Sequence, residues 1–535
     1  MSVTIRHRAV PRAFASAALL ALVVATGSPG LAHAASSPTQ APASGAARAA
    51  DNPIVRENKL PGTDRWAIPW DGYTVADDIG LQVKGYFSQV SVTAGGSISL
   101  RVVTTPVSSF SVDVYRLGWY GGLGGRLVQH IDSVAGRKQP ACIFVGPTKM
   151  VTCPWNTSVR IDTKEGWVTG QYVAVMSTPD HFQSVATFVL KPQHSKAALL
   201  YVSPVNSYQA YNDFPFDPAT PDGDRPQTGR SLYDFSSPAT AAYPDGEPSV
   251  RVSFDRPYSS QYGGPGDGGV FDFEPNSIGY LESRGYDIAY TTDSDLDAEP
   301  RQVLDHAALY VSGHSEYWSA RMYDAALLAR SKGVGIAFVS SNEVYWQIRY
   351  EPNSSGMPRR IVVGYKDFLP DPVPDPALRT IRWRDLGRAE QTLVGIQFPI
   401  DGNMDWGGQA FVPTNTDHWA YAGTGFSSGH SVDGSIVGYE IDAYDPAYPK
   451  PPGTDYTLLA SSPFVNFLGN DYTHNMSIYR GTGGNWVWAT GTVDWAWFLA
   501  DGVATSNAAD TASAQQMTAN VLDRMIACRA NTHAC

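Results

Sequence analysis

The sequence predicts a two-part chain: an immunoglobulin-like β-sandwich, then an α/β domain with extra strands and long loops. Three observations carry this. Residues Asp51–Lys191 contain short runs alternating apolar and polar, bounded by turn residues, the pattern of half-buried strands. From Ala198 the pattern becomes apolar runs separated by helix-length stretches, which predicts strands with crossover helices. The chain of 535 residues is also too long for one core, and two or three domains is the expectation.

Residues 1–34 read as a secretory signal. Arg6, Arg8 and Arg12 precede the largely apolar Ala13–Ala25, and Ala32-His33-Ala34 is a small-x-small cleavage site. The apolar run falls short of the roughly 20 residues a membrane helix needs, and no later run qualifies, so no membrane span is expected. Residues 35–53 read as a flexible linker, rich in Ala, Ser, Pro, Thr and Gln. The sandwich is expected over 54–193. There Val90–Val103 alternates around Gly95-Gly96 as a hairpin would, and Phe110–Tyr115, Ser158–Ile161, Tyr172–Met176 and Val185–Leu190 are further strands. The glycine-rich Tyr115–Arg126 (YRLGWYGGLGGR) reads as a turn capping the sandwich; the alternative is a surface docked on the second domain's pocket.

The α/β domain is expected over 194–535, an open sheet of the flavodoxin or class I glutaminase kind. Ala198–Ser203 is its first strand. A helix over Ser277–Arg284 ends at Gly285, and strand Asp287–Tyr290 follows. The organising unit is Ala307–Trp346. Strand Ala307–Ser312 ends at Gly313, and Ser319 caps a helix carrying Met322, Ala325, Ala326 and Ala329 on one stripe. Gly333 stops that helix, and Val334–Ser340 is the next strand. Chemistry in open α/β sheets collects beyond the carboxyl ends of strands. His314 and Glu316 lie beyond one end, Asn342 and Glu343 beyond the next, so the two tips should meet. After Pro370 the pattern is mixed β, with strands at Ala389–Gln397, Ile436–Ile441, Tyr456–Ala460, Asn475–Tyr479 and Trp486–Thr490, then a helix over Ala512–Cys528. Long connections at Asp213–Asp245 and Tyr258–Gly269 have the length of functional lids.

Net charge of −12, spread without acidic blocks, argues against a nucleic-acid partner. The four cysteines fall in two close pairs, Cys142 with Cys153 and Cys528 with Cys535. In an exported chain these read as two local disulfides.

The chemistry-bearing residues are sparse. GHSEY at 313–317 has Tyr317 where a nucleophile elbow needs a small residue, so Ser315 is a weak acylating serine. HExxH, phosphate-loop and dinucleotide fingerprints are absent. The second domain does offer oxygen donors: Tyr201, Tyr208, Tyr211 and Tyr233, then Glu316. Phenolate and carboxylate are hard donors that suit a hard, highly charged cation such as ferric iron. The competing reading is that these tyrosines pack, with hydrogen-bonded hydroxyls.

Several motifs together carry a family resemblance: YQAYNDF at 208–214, SLYDF at 231–235, SFDRPY at 253–258, GYDIAYTTDSDLD at 285–297, GHSEYW at 313–318 and SNEVY at 341–345. With YRLGWYGGLGGR they resemble the large (beta) subunit of N,N-dimethylformamidase. The resemblance implies small-amide hydrolysis with one Fe(III) per chain, held by Tyr211, Tyr233 and Glu316. It implies that His314 and Asn342 support the ion's ligands or act in catalysis, and Glu440 in VGYEID is a candidate further carboxylate. A small amide is then the expected substrate. No small-subunit partner is evident, and a homo-oligomer stays open. The alternative function is a secreted, non-catalytic binder of carbohydrate or cell wall on a decayed enzyme domain, with Trp486, Trp488, Trp495 and Trp497 as an aromatic platform. The favoured reading of these four is core and turn packing, with alternation placing each Trp pair on one strand face.

Overall fold

The structure, a computed structural model, describes residues 52–216, 231–233, 248–260, 264–399, 404–466, 469–500 and 508–535. The expected signal, most of the linker, and most of the connection over 213–245 lie outside these residues. The protein is mixed α/β, with many strands in several sheets and few helices.

Two sheets face each other in the N-terminal part. One runs in the order Thr74–Val75, Phe182–Lys191, Gly170–Ser177, Phe110–Leu117, Gly125–Val134, with Ser91–Thr93 also on Phe182–Lys191. The other joins Lys84–Phe87, Ser97–Val103 and Val159–Asp162. Their inner faces bury Leu100, Val102, Val112, Val114, Tyr172, Ala174 and Phe188 in one core.

The expected hairpin around Gly95-Gly96 is corrected. Gly95 does turn the chain at φ +82°, but the arms join different sheets. Ser91–Thr93 pairs in parallel with Phe182–Lys191, while Ser97–Val103 pairs with the three-stranded sheet. Alternation fixes which face is buried, not which strand is the partner. Val92, Ile98 and Leu100 all reach the inter-sheet core from either side of this corner.

The C-terminal part is built on a seven-stranded sheet. Its order is Ile288–Thr292, Leu199–Ser203, Ala308–Val311, Gly335–Phe338, Trp486–Ala489, Asp471–Gly481, Gly453–Val465. The first five strands are parallel, and the last two turn antiparallel. The parallel strands are buried along their whole length, as a sheet covered on both faces requires. The chain goes from Leu199–Ser203 to one neighbour, Ile288–Thr292, then to the other, Ala308–Val311. That reversal is a topological switch point, where the loops beyond the strand ends diverge and leave a crevice.

Helix Ala320–Ser331 follows as expected. The Ser319 hydroxyl accepts the Met322 N–H (3.3 Å), and Met322, Ala325, Ala326 and Ala329 are buried. Helix Ala508–Ala530 buries Met517, Val521, Leu522 and Met525 against the same sheet. A four-stranded sheet, Arg251–Ser253, Ile361–Val363, Trp346–Glu351, Tyr317–Ser319, completes this part. The disulfides join Cys142 to Cys153 and Cys528 to Cys535. Among the described residues no helix is long and apolar enough to cross a membrane.

Two further expectations are corrected. Ala389–Gln397 is not a strand: Gln391–Val394 is a helical turn closed by Gly395 at φ +102°. Trp495 and Trp497 lie on the 3-10 helix Val493–Leu499 rather than on a strand. Trp486, Trp488 and Trp495 are core residues, so they offer no platform.

The glycine-rich segment joins the two parts. Arg116, fully buried, meets Glu282 of helix Pro275–Ser283 through two contacts, Nη2–Oε1 at 2.7 Å and Nη1–Oε2 at 3.1 Å. Tyr290 and Asn58 donate to the same carboxylate. A Cβ on Gly118 would lie 2.5 Å from Glu282 Oε2, so any side chain there would push this carboxylate aside. The segment is thus a docking element, seated on this helix.

His474, in strand Asp471–Gly481, shows how burial of a neutral imidazole sets pH dependence. Its Nε2–H donates to the Thr490 carbonyl (2.9 Å), so Nδ1 accepts from the Ser462 hydroxyl (3.2 Å). Burial pushes its pKa down to about 4. The unfolded chain, near 6.5, binds this proton more readily, so the contribution is whole above 6.5 and lost as pH falls through 4. We expect His474→Gln to remove a slope worth on the order of 3 kcal/mol over that window. Urea midpoints of wild type and variant between pH 4 and 7 check this.

Candidate functional site

The site forms at the switch point. Helix Val205–Ala210 follows strand Leu199–Ser203, and Tyr211 is its C-terminal cap residue, with its N–H on the Ser207 carbonyl (3.1 Å). The next strand, Ala308–Val311, ends at Ser312-Gly313, with Gly313 at φ +65°. A Cβ on Gly313 would sit 3.0 Å from the Pro204 ring and 3.1 Å from the Tyr208 hydroxyl. This turn aims His314 and Glu316 inward, and the Glu316 N–H is held by the Ser207 hydroxyl (3.0 Å). The third tip, Ser341–Val344, has Asn342 at φ +52° and Val344 at φ +60°. A β-branched residue in that region is strained, and such strain persists where the surroundings over-determine it.

Glu316 is the hub. Tyr211 donates to its Oε2 (2.8 Å) and Tyr233 to its Oε1 (2.5 Å). The two phenol rings stack, centroids 4.5 Å apart. Three oxygen-bearing side chains from positions 211, 233 and 316 therefore converge. His314 Nδ1 is 3.7 Å from Glu316 Oε2, and His314 Nε2 hydrogen-bonds Glu440 Oε2. Asn342 Nδ2 donates to that same Glu440 oxygen (2.9 Å). The tips carrying His314 and Asn342 thus meet, on a carboxyl from the end of strand Val432–Glu440. All six candidate residues fall into one constellation.

Burial governs the electrostatics. It pushes both phenols well above their ordinary value, and the neighbouring Glu316 carboxyl adds to this. They are protonated donors as they stand. Burial also raises Glu316, opposed by His314 and Lys366. For His314, burial works against the charged ring, but Glu440 overcomes it and the pKa rises to about 9.

Sequence reasoning missed Lys366. Its Nζ lies 3.1 Å from the centroid of the Tyr233 ring and 3.3 Å from the Tyr317 hydroxyl. Burial pulls it down to about 7, against the pull of Glu316. An ammonium over the ring face is attracted by the ring's electron-rich face and would offset negative charge on the phenol. Asp442 was also missed: its Oδ1 accepts the Asn342 N–H (2.9 Å) and holds the strained tip. Tyr317 lies inside GHSEYW, so a motif signal existed for it. Lys366 had none.

Among the described residues no three His, Cys, Asp or Glu side chains group to hold a metal. A cation here would rest on the two phenols and Glu316, an oxygen-only set that suits a hard ion. The donor chemistry and the convergence fit such an ion; replacing the two phenol protons would leave two phenolates beside the Glu316 carboxylate. Ser315 has an indole for its partner, the Trp318 Nε1–H at 2.9 Å, not an imidazole.

A family model, N,N-dimethylformamidase beta subunit-like, C-terminal, matches residues 111–510, well over half of the chain. The chain belongs to this family. A relative in Alcaligenes sp., the N,N-dimethylformamidase beta subunit, is 23% identical over 341 residues, covering 58% of this chain and 44% of the relative. The chain therefore spans less than half the length of that relative. Among solved structures, a Paenibacillus sp. cycloisomaltooligosaccharide glucanotransferase aligns at a TM-score of 0.17 and 7% identity, over 53% of this chain and 57% of that one. That likeness is too slight to carry an argument. The site motifs at 208–214, 231–235, 313–318 and 341–345 all lie inside the matched span, as does Glu440.

Proposed function

We propose that this family member is an exported hydrolase of small amides, with one Fe(III) held by Tyr211, Tyr233 and Glu316. The observation that carries this is the convergence of two phenol oxygens on the two oxygens of one buried carboxylate. When bound, the ion supplies Lewis acidity toward the amide carbonyl. The chain's own groups supply the rest. Glu440, paired with His314, takes the proton of the attacking water. His314, between two acid side chains, is placed to pass a proton to the leaving nitrogen. Asn342 spends one N–H on Glu440 and has a second to donate to the developing oxyanion, a contact worth about 3 kcal/mol. Water adds to the carbonyl carbon, the C–N bond breaks, and an acid and an amine leave. Lys366 over Tyr233 keeps negative charge on that phenol tolerable in a buried site.

Export is supported by two disulfides, which suit an oxidising compartment. The binder alternative finds no support in Trp486, Trp488 and Trp495, which are core residues.

The test is a pair of conservative variants. Tyr233→Phe and Tyr211→Phe remove one donor atom each and keep the ring stack. Each is expected to lower iron content and to cut kcat/KM for a small amide about 10- to 1000-fold, with folding unchanged. Full activity in both variants contradicts the reading.

A further inference from the structure

Tyr211 is fixed on its N-terminal side by helix Val205–Ala210, but the chain beyond it, Asn212–Phe216, belongs to no helix or strand. What holds that strap reaches across from the N-terminal sheets. Asp78 is buried, between strands Thr74–Val75 and Lys84–Phe87. Its Oδ2 accepts the Phe216 N–H (2.9 Å), and Oδ1 accepts both the N–H and the hydroxyl of Ser260 (3.0 and 2.8 Å). Lys84 Nζ, also fully buried, lies 2.8 Å from Oδ1 and balances the charge.

Asp78 therefore ties two straps, 212–216 and 257–260, at one point. The straps are also zipped to each other. Asn212 Oδ1 accepts from Ser259 N (3.0 Å), Asn212 Nδ2 donates to the Pro257 carbonyl (2.9 Å), and Arg256 donates to the Asn212 and Phe214 carbonyls (2.6 and 3.1 Å). A buried carboxylate accepting several N–H and O–H bonds is a rigid anchor.

We propose that Asp78, backed by Lys84, is a positioning residue for Tyr211: it fixes the strap that sets where the phenol oxygen sits. The sandwich thereby shapes a site to which it contributes no donor. The proposal rests on the functional reading in giving Tyr211 a ligand's role, so the experiment separates the two.

The variants are Asp78→Asn, which turns one acceptor into a donor facing other donors, and Asp78→Asn/Lys84→Met, which also removes the stranded ammonium. The second keeps the test open if the first folds poorly. Hydrogen exchange is followed on metal-free protein in peptides over 205–216 and 254–260, with helix Ala508–Ala530 as control. Iron affinity and the phenolate-to-iron absorption are followed with ferric salt alone. We expect exchange in both straps to rise at least tenfold with the control unchanged, and iron affinity to fall about 10- to 100-fold, the usual cost of losing an outer partner, with a shifted band. Unchanged exchange in 205–216 overturns the proposal, as does loosened exchange with wild-type affinity and band. If wild-type protein takes up no iron, the functional reading fails, and strap exchange alone still decides whether Asp78 holds Tyr211 in place.

Discussion

Glu316→Gln is expected to strip the protein of iron and to lower kcat/KM for a small amide by about 1000-fold or more, at least 4 kcal/mol of transition-state stabilisation. The size of the effect follows from the number of roles one side chain holds. Each Glu316 oxygen accepts from a different tyrosine. A glutamine keeps one acceptor and turns the other into a donor facing a phenol. The substitution also removes a negative charge that His314, at 3.7 Å, and Lys366 both feel. Stability should change less than activity, because Gln keeps the volume. Steady-state kinetics with iron analysis on the same preparation check this, and a variant with wild-type iron and rate contradicts it.

Glu282→Gln is expected to produce the largest loss of stability. It leaves the Arg116 guanidinium buried without its counter-charge. Removing one partner of such a pair costs about 3–5 kcal/mol, whereas apolar replacement of both is often nearly neutral. Arg116→Met/Glu282→Leu should therefore recover most of the urea midpoint that Glu282→Gln loses. Because the pair joins the glycine-rich segment to helix Pro275–Ser283, the single variant should also loosen the two parts from each other. Protease sensitivity of the intact chain under native conditions reads that loosening. Equal midpoints for single and double variants contradict the argument.

Much of the site was legible in the chain. The switch from alternating runs to apolar runs marks the parallel strands, and Gly313 marks the end of one of them. Once the strands are parallel and adjacent, the tips at His314 and Asn342 have to meet, and both reach Glu440. The family motifs named Tyr211 and Tyr233, which no periodicity could single out among so many tyrosines. Lys366 was not legible. It follows the three-residue strand Ile361–Val363, whose antiparallel pairing with Trp346–Glu351 carries it to Tyr233. Local pattern does not encode such pairings. The same holds for Arg116 and Glu282, 166 residues apart, and for the corner at Gly95, where alternation fixes the buried face but leaves the partner strand open.

The most direct measurement is elemental analysis of the natively expressed protein, taken with its visible spectrum. Close to one iron per chain is expected, with a phenolate-to-iron absorption that bleaches in Tyr211→Phe or Tyr233→Phe. A folded, colourless protein without iron would contradict the claim that these two phenols and Glu316 grip a trivalent ion.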